Sequence, residues 1–352
     1  MRDTLCLGSI VVVGLLAAVA CSAPAAGGPE GASGGAPAAG GGPGLGGDTA
    51  AVGGLSGVGG SAVVTPVPVT PTMSGTRYAF SFGETLFEVD PNVGARITTL
   101  SLGGINLLTG PEVNASNYGA TFWPSPQSSW NSSGWPPPPE IDNGPYTASA
   151  DSEMVTMVGS PNQNVGLGVT KQFLADAASG VITVGYTVYN TGTAPVSVAP
   201  WEVARVAARG LVFFSAGAVT SPGSSMTPLP LQTGPQAIWL DFATAGVSSG
   251  DYKSSADGGP GGWLAYLDGD LLFLRNFPDV PLSSHAPGHG EIEIYTNGQY
   301  MELEIQGAYQ SIPVGGNVQW IVYWRVVRMP ATVPRTAGSA ELVAYVQSLL
   351  GQ

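Results

Sequence analysis

From Thr76 onward the chain is a series of short runs in which apolar and polar residues alternate, separated by Gly, Pro, Asn and Asp. In residues 181–189, Ile182, Val184, Tyr186 and Val188 share one face while Thr183, Gly185 and Thr187 share the other, so one side is core and the other is wet. Runs of the same texture lie at 96–102, 166–173, 237–242, 271–277, 291–296, 300–306 and 318–327. No helical segments alternate with them, which removes the βαβ unit and predicts antiparallel sheets packed face to face. The expected fold is all-β: a large two-sheet sandwich over residues 76–352, formed as a single domain. One short helix is expected at the C-terminus, where Ser339 can cap it and Leu342, Val343, Val346, Leu349 and Leu350 fall on one stripe.

Only 10% of the 352 residues are charged, acidic residues outnumber basic ones 24 to 11, and no Lys/Arg cluster occurs. The electrostatic footprint for a phosphate backbone is missing, which excludes nucleic acid as a partner. A neutral polar ligand suits such a chain, and carbohydrate is the expected partner. The apolar run at 7–20 is shorter than the roughly 20 residues that span a bilayer, so residues 1–20 read as a signal peptide. Cleavage before Cys21 removes Cys6, and the two cysteines are the only ones. The remaining N-terminal thiol has no internal partner, and lipid attachment at Cys21 explains it best. The expectation is an exported lipoprotein anchored to a membrane of the bacterial cell envelope, at the periplasm or cell surface, with free secretion as the alternative. Residues 21–75, rich in Gly, Ala and Pro, read as a disordered tether.

The segment 291–304 joins two alternating runs through Asn297 and Gly298, the pair favoured in a two-residue type I′ turn. That turn sets Tyr295 opposite Tyr300, Glu293 opposite Glu302 and Glu291 opposite Glu304, with Ile292, Ile294, Met301 and Leu303 on the other face. Four carboxylates on one side call for solvent, a cation such as Ca²⁺, or protons shared between groups of separated pKa. A solvated outer face and a functional cluster both fit the pattern.

The loop between Asn114 and Pro145 carries Phe122, Trp123, Trp130 and Trp135. Its aromatics either stack on sugar rings, with Gln127 and Asn131 available for hydroxyls, or pack a local core beneath the loop. Further on, alternation places Trp201, Val203 and Arg205 on one face and Glu202 on the other. His285 and His289 lie in a Gly/Pro loop before Glu291; that spacing does not specify a metal centre, and no zinc site is expected.

Several stretches in order carry a family resemblance: Phe87, Asp90, Pro91, Asn92 and Gly94 leading to Gly103 and Asn106; Phe122, Trp123, Pro124 and Gln127 with Trp130; Asn190 leading to Pro200, Trp201 and Glu202; then Tyr300, Glu302 and Glu304 followed by Pro313, Trp320 and Trp324. From about Phe80 to Pro330 the chain resembles the galactose mutarotase-like superfamily, in a branch of bacterial lipoproteins related to aldose 1-epimerases. The resemblance implies a supersandwich with a sugar-binding cleft on its concave face, and mutarotase/epimerase-like isomerase chemistry in which a glutamate is the base and a histidine the acid. Glu302 or Glu304 stands in a position similar to that base. Where the family has its histidine this chain has Trp201 and Glu202. Either Glu202 replaces the acid, or the reaction is lost and a non-catalytic carbohydrate-binding or structural envelope protein remains. Trp123, Gln127, Trp130, Trp201 and Arg205 are the expected substrate-binding residues, and no cofactor is expected besides Ca²⁺ at the glutamate face.

Overall fold

A computed structural model describes residues 65–217, 219–220 and 226–351. The expected signal peptide, Cys21 and most of the expected tether lie outside the described residues. Among the described residues the strands form two antiparallel sheets, a front sheet of twelve and a back sheet of ten, as the alternation requires.

The clearest run in the sequence forms strand Val181–Asn190, which pairs with Leu167–Asp176 on one side and Asn317–Arg328 on the other. Its Ile182, Val184, Tyr186 and Val188 face inward and are buried. Across the sandwich, Phe87 of the front sheet meets Phe173 and Trp324 at 6.0 Å between ring centres, and Phe122 stacks on Tyr186 at 4.7 Å. The helix Ala340–Leu350 begins where Ser339 Oγ accepts the Leu342 N–H at 3.1 Å. Its Leu342, Val343 and Val346 bury against Phe213, Trp239, Trp263 and Leu274 on the outer face of the back sheet.

Folded structure also reaches back beyond the expected start at residue 76. The Val69 N–H donates to Ala175 O at 2.9 Å, and Thr72–Ser74 pairs with the strand Arg77–Phe82. Composition hides these residues because Pro66, Pro68 and Pro71 look like tether; at a sheet edge a proline costs no ladder bond.

The middle of the front sheet runs Ala120–Ser125, Val196–Ala207, Tyr300–Gln306, Ile292–Thr296, Tyr252–Ala256. Along Val196–Ala207, Glu202 points into the sandwich, while Trp201, Val203 and Arg205 point to the outer face. Glu202 is completely buried; it accepts from Tyr186 OH at 2.7 Å, from Trp324 Nε1 at 3.0 Å and from Arg275 Nη1 at 3.2 Å. Burial pushes the Glu202 carboxyl up and the Arg275 guanidinium down, each only partly offset by the other. Lys171 is a second buried cation close to this pair, with its Nζ 6.0 Å from the centre of the Phe122 ring. Glu202→Ala is expected to cost about 3–5 kcal/mol by urea denaturation, because Arg275 is left buried and unpaired. The double variant Glu202→Leu/Arg275→Met is expected to cost less than the single one.

Candidate functional site

The hairpin 291–304 closes differently from the sequence expectation. Glu293 pairs with Glu304, Ile294 with Leu303, Tyr295 with Glu302 and Thr296 with Met301. A type I′ turn needs positive φ at both central residues, but only Gly298 adopts it, at 84°. Instead, Thr296 Oγ1 accepts the Gly298 N–H at 3.0 Å and Asn297 Oδ1 accepts the Gln299 N–H at 3.0 Å, which lengthens the loop. The shift moves each partner by two residues, so every side chain keeps its face while the opposing pairs change.

All four glutamates are buried, at 7% exposure or less, so none belongs to a solvated face. They separate into three settings. Glu302 accepts from Arg205 Nε at 2.8 Å through Oε1, leaving Oε2 toward the cleft. Glu293 and Glu304 share Lys253, whose Nζ lies 2.6 Å from Glu293 Oε2 and 3.0 and 2.9 Å from the two Glu304 oxygens. Glu291 stands apart and accepts the N–H groups of Gly258 and Val280, each at 2.8 Å. The positive charge within the face where Ca²⁺ was expected comes from Lys253 and Arg205.

Register explains the clamp on Lys253. Arg205, Glu302, Tyr295 and Lys253 form one row across four strands, and Val203, Glu304, Glu293 and Ser255 form the next. Lys253 reaches diagonally into that second row, a distance its long side chain spans. Burial alone would raise the Glu293 carboxyl, but Lys253 and His289 outweigh it and hold it well below its ordinary value. Burial, with repulsion from Glu293 and Glu302, pushes Glu304 well above its ordinary value despite Lys253. Burial would lower the Lys253 ammonium, and the two glutamates outweigh it and raise it.

Trp123, Trp130, Trp201 and Val203 pack into a small apolar cluster on the outer face of the front sheet. Trp201 meets Trp123 edge to face at 5.2 Å and His289 at 4.9 Å. The indole N–H groups are committed: Trp123 to Asp142 at 2.7 Å, Trp201 to Glu304 at 3.0 Å, and Trp130 to Pro124 O. Trp135 leans on Trp123 at 5.7 Å and stays 45% exposed. The loop therefore both packs and presents an aromatic surface. His289 accepts the Gln127 N–H at Nε2 (3.3 Å) and faces Glu293 Oε1 through Nδ1 (3.1 Å), bracing the loop.

These groups surround an open cleft of about 320 Å³, lined among others by Trp123, Gln127, Trp135, Trp201, Lys253 and Glu302, a size suited to small-molecule sites. Asn117, Met226, Asp251, Tyr295 and Tyr300 complete its walls. Of the residues singled out in the sequence, Trp123, Gln127, Trp201 and Glu302 line the cleft; Trp130, Arg205 and Glu304 support it from behind. Glu202 does not join them, because its strand turns it into the sandwich core. Lys253 and Asp251 escaped the sequence reading, and Tyr295 and Tyr300 figured in it as a cross-strand pair of the hairpin but not as site residues. The one signal for Lys253 is scarcity, since the chain has two lysines in all.

No protein-family model and no curated protein matches the chain. Solved structures that resemble it include the Slr1438 protein of Synechocystis sp. PCC 6803, with 10% identity and a TM-score of 0.50 over 75% of this chain and 96% of that one. Others are a putative aldose 1-epimerase of Escherichia coli K12 (12% identity, TM-score 0.48, 72% and 99% covered) and a galactose mutarotase-like protein of Lactobacillus casei ATCC 334 (11%, 0.48, 71% and 100%). At such identities the likeness is one of fold.

Outside the cleft lining, the carboxylate oxygens of Asp257, Asp279 and Glu291 come within 4.8 Å of one another. Burial, with repulsion from Asp279 and Asp257, pushes Glu291 up from 4.5 to about 8, against the two N–H groups that favour its charged form. Because the folded value is raised, the contribution of Glu291 is fully present below about 4.5 and is lost as pH rises through about 8. Urea midpoints measured from pH 4.5 to 8 are expected to fall with pH, and to fall less steeply in Glu291→Gln.

Proposed function

We propose that the cleft binds a carbohydrate and opens and recloses the ring of an aldose, with Glu302 as the base. The observation that carries this reading is the meeting, in one cleft, of the rings of Trp123, Trp135 and Trp201 with a carboxylate held at one oxygen by Arg205. Aromatic faces suit the apolar side of a sugar ring, the amides of Asn117 and Gln127 suit its hydroxyls, and a fixed carboxylate suits the proton of the anomeric hydroxyl. The sequence resemblance to mutarotase-like proteins supports the same reaction class. We propose further that the domain is carried in the cell envelope on the segment that follows a lipidated Cys21.

A binding module without chemistry is the second reading, favoured by Glu202, the expected acid, lying in the core. Two measurements separate them. Sugar binding should quench tryptophan fluorescence, and Trp201→Ala should weaken it about tenfold, the loss of one aromatic contact of roughly 1.4 kcal/mol. In a proton NMR assay of anomer interconversion, Glu302→Gln should slow the catalysed rate about 100-fold or more while binding changes little. Binding with no acceleration on any aldose would leave the binding module. Labelling by a radioactive fatty acid should be lost in Cys21→Ser.

A further inference from the structure

The proposed ring opening needs a proton donor for the ring oxygen, and the expected donor, Glu202, faces away from the cleft. Most polar hydrogens around the cleft are committed elsewhere. The indoles of Trp123 and Trp201 donate to Asp142 and Glu304, and the Tyr295 hydroxyl donates to Asp251 at 2.6 Å. The Lys253 ammonium meets three carboxylate oxygens, Glu293 Oε2 at 2.6 Å and the two of Glu304 at 3.0 and 2.9 Å, so its three protons are taken. Burial favours the protonated form of Glu304, but Glu304 lies behind the cleft and takes no part in its lining. Trp135, Asn117 and Gln127 offer only indole and amide N–H groups, which hydrogen-bond without giving up a proton. Tyr300 differs. Its hydroxyl oxygen accepts from Asn117 Nδ2 at 3.4 Å, and its own proton has no acceptor among the described residues. Tyr300 stands two residues before Glu302 on the strand Tyr300–Gln306, and both line the cleft. Neighbouring positions on one face of a strand lie about 7 Å apart. At that separation two groups can each reach, over about 2.7 Å, one of the two oxygens carried by a single carbon.

We propose that Tyr300 is the acid of this site: its hydroxyl protonates the ring oxygen of an aldose bound against Trp201 while Glu302 takes the proton of the anomeric hydroxyl. The inference rests on the ring-opening reading of the cleft. In the step, the proton of the anomeric hydroxyl passes to Glu302, that O–H pair becomes the carbonyl π bond, and the bond from the anomeric carbon to the ring oxygen breaks. The ring oxygen keeps the pair and takes the Tyr300 proton, leaving a phenolate. A phenol, ordinarily at about 10, is a far stronger acid than an alcohol, which stands close to water at roughly 16, so a departing alkoxide draws the proton readily. Burial and the Glu302 charge raise the Tyr300 hydroxyl, while Arg205 and the Asn117 amide lower it. Glu302 becomes neutral as Tyr300 becomes charged. The carboxylate that keeps the proton on Tyr300 in the resting site is thus discharged in the step that releases it, and Arg205 and Asn117 stay to favour the phenolate. Rotation of the aldehyde and the reverse step give the other anomer and restore both groups, with no net consumption.

The test uses the full chain and the NMR assay with glucose and galactose, alongside fluorescence titration of the same sugars. Tyr300→Phe is expected to lower kcat about 100-fold or more with the sugar Kd within about threefold. The variant keeps the ring, which leans on Tyr295 at 6.3 Å, and loses only the hydroxyl, so its urea midpoint is expected to stay close to that of the unaltered protein. 3-Fluorotyrosine incorporated at position 300 restores an acidic hydroxyl and is expected to bring kcat back to within about tenfold of the unaltered rate. Full kcat in Tyr300→Phe would overturn Tyr300 as the acid and leave ring opening intact. So would a loss of kcat that 3-fluorotyrosine fails to recover, or one matched by an equal loss of sugar binding. No acceleration by the unaltered protein on either sugar would overturn both.

Discussion

Burying a charge is tolerated where an opposite charge and hydrogen bonds accompany it, and the front sheet meets that condition on both faces. Inside, Glu202 and Arg275 are joined by Tyr186 and Trp324. Outside, Arg205 holds Glu302, and Lys253 holds Glu293 and Glu304. Five of the ten lysines and arginines among the described residues, namely Arg96, Lys171, Arg205, Lys253 and Arg275, have side chains almost wholly withdrawn from solvent. The low charge of the sequence thus understates its electrostatics. Much of the positive charge is placed inside, where a low dielectric strengthens each pair, and little is left to make a basic surface.

The same economy governs the aromatic residues. Strand Val196–Ala207 is buried on both faces from Val198 to Val206, which an outer-face strand achieves only under a cover. The loop carrying Trp123 and Trp130 supplies it, and packing ring against ring removes the side-chain freedom that a ligand would otherwise have to freeze. A mini-core and a stacking platform are therefore one arrangement. Trp123 and Trp201 are held from behind by Asp142 and Glu304, so the edges and faces left toward the cleft are fixed before a ligand arrives.

Alternation made the strands legible because each residue carries its own contribution to it: Tyr300–Gln306 and Arg96–Leu102 have the expected bounds, and Ser339 caps the helix. Alternation also placed Glu202 opposite Trp201 and Arg205, and the acid role expected for Glu202 set that geometry aside in favour of the family pattern. The hairpin register was not legible, since it depends on backbone N–H groups donating to the Thr296 and Asn297 side chains, an arrangement that competes with a turn type of similar composition. Lys253 was not legible for a different reason. Its strand, Tyr252–Ala256, follows its lysine with two serines and an alanine and shows no periodic contrast, and its partners lie 40 and 51 residues away in the chain.

The charge balance of the cleft also bears on what it can hold. Arg205 and Glu302 cancel. Lys253 cancels Glu293, and burial with two neighbouring carboxylates favours the protonated form of Glu304. Asp251, which takes the Tyr295 hydroxyl, is the remaining cleft-lining acid. The Nη atoms of Arg205 have no hydrogen-bond partners, but they lie out of solvent, with the guanidinium 5.1 Å over the Trp123 ring. A phosphate or carboxylate entering the cleft would meet one largely buried cation, Lys253, already claimed by two glutamates, and a nearby aspartate of its own sign. A neutral ligand rich in hydroxyls meets no such penalty, and it can use the amides, the aromatic faces and the free oxygen of Glu302 without first displacing an ion pair.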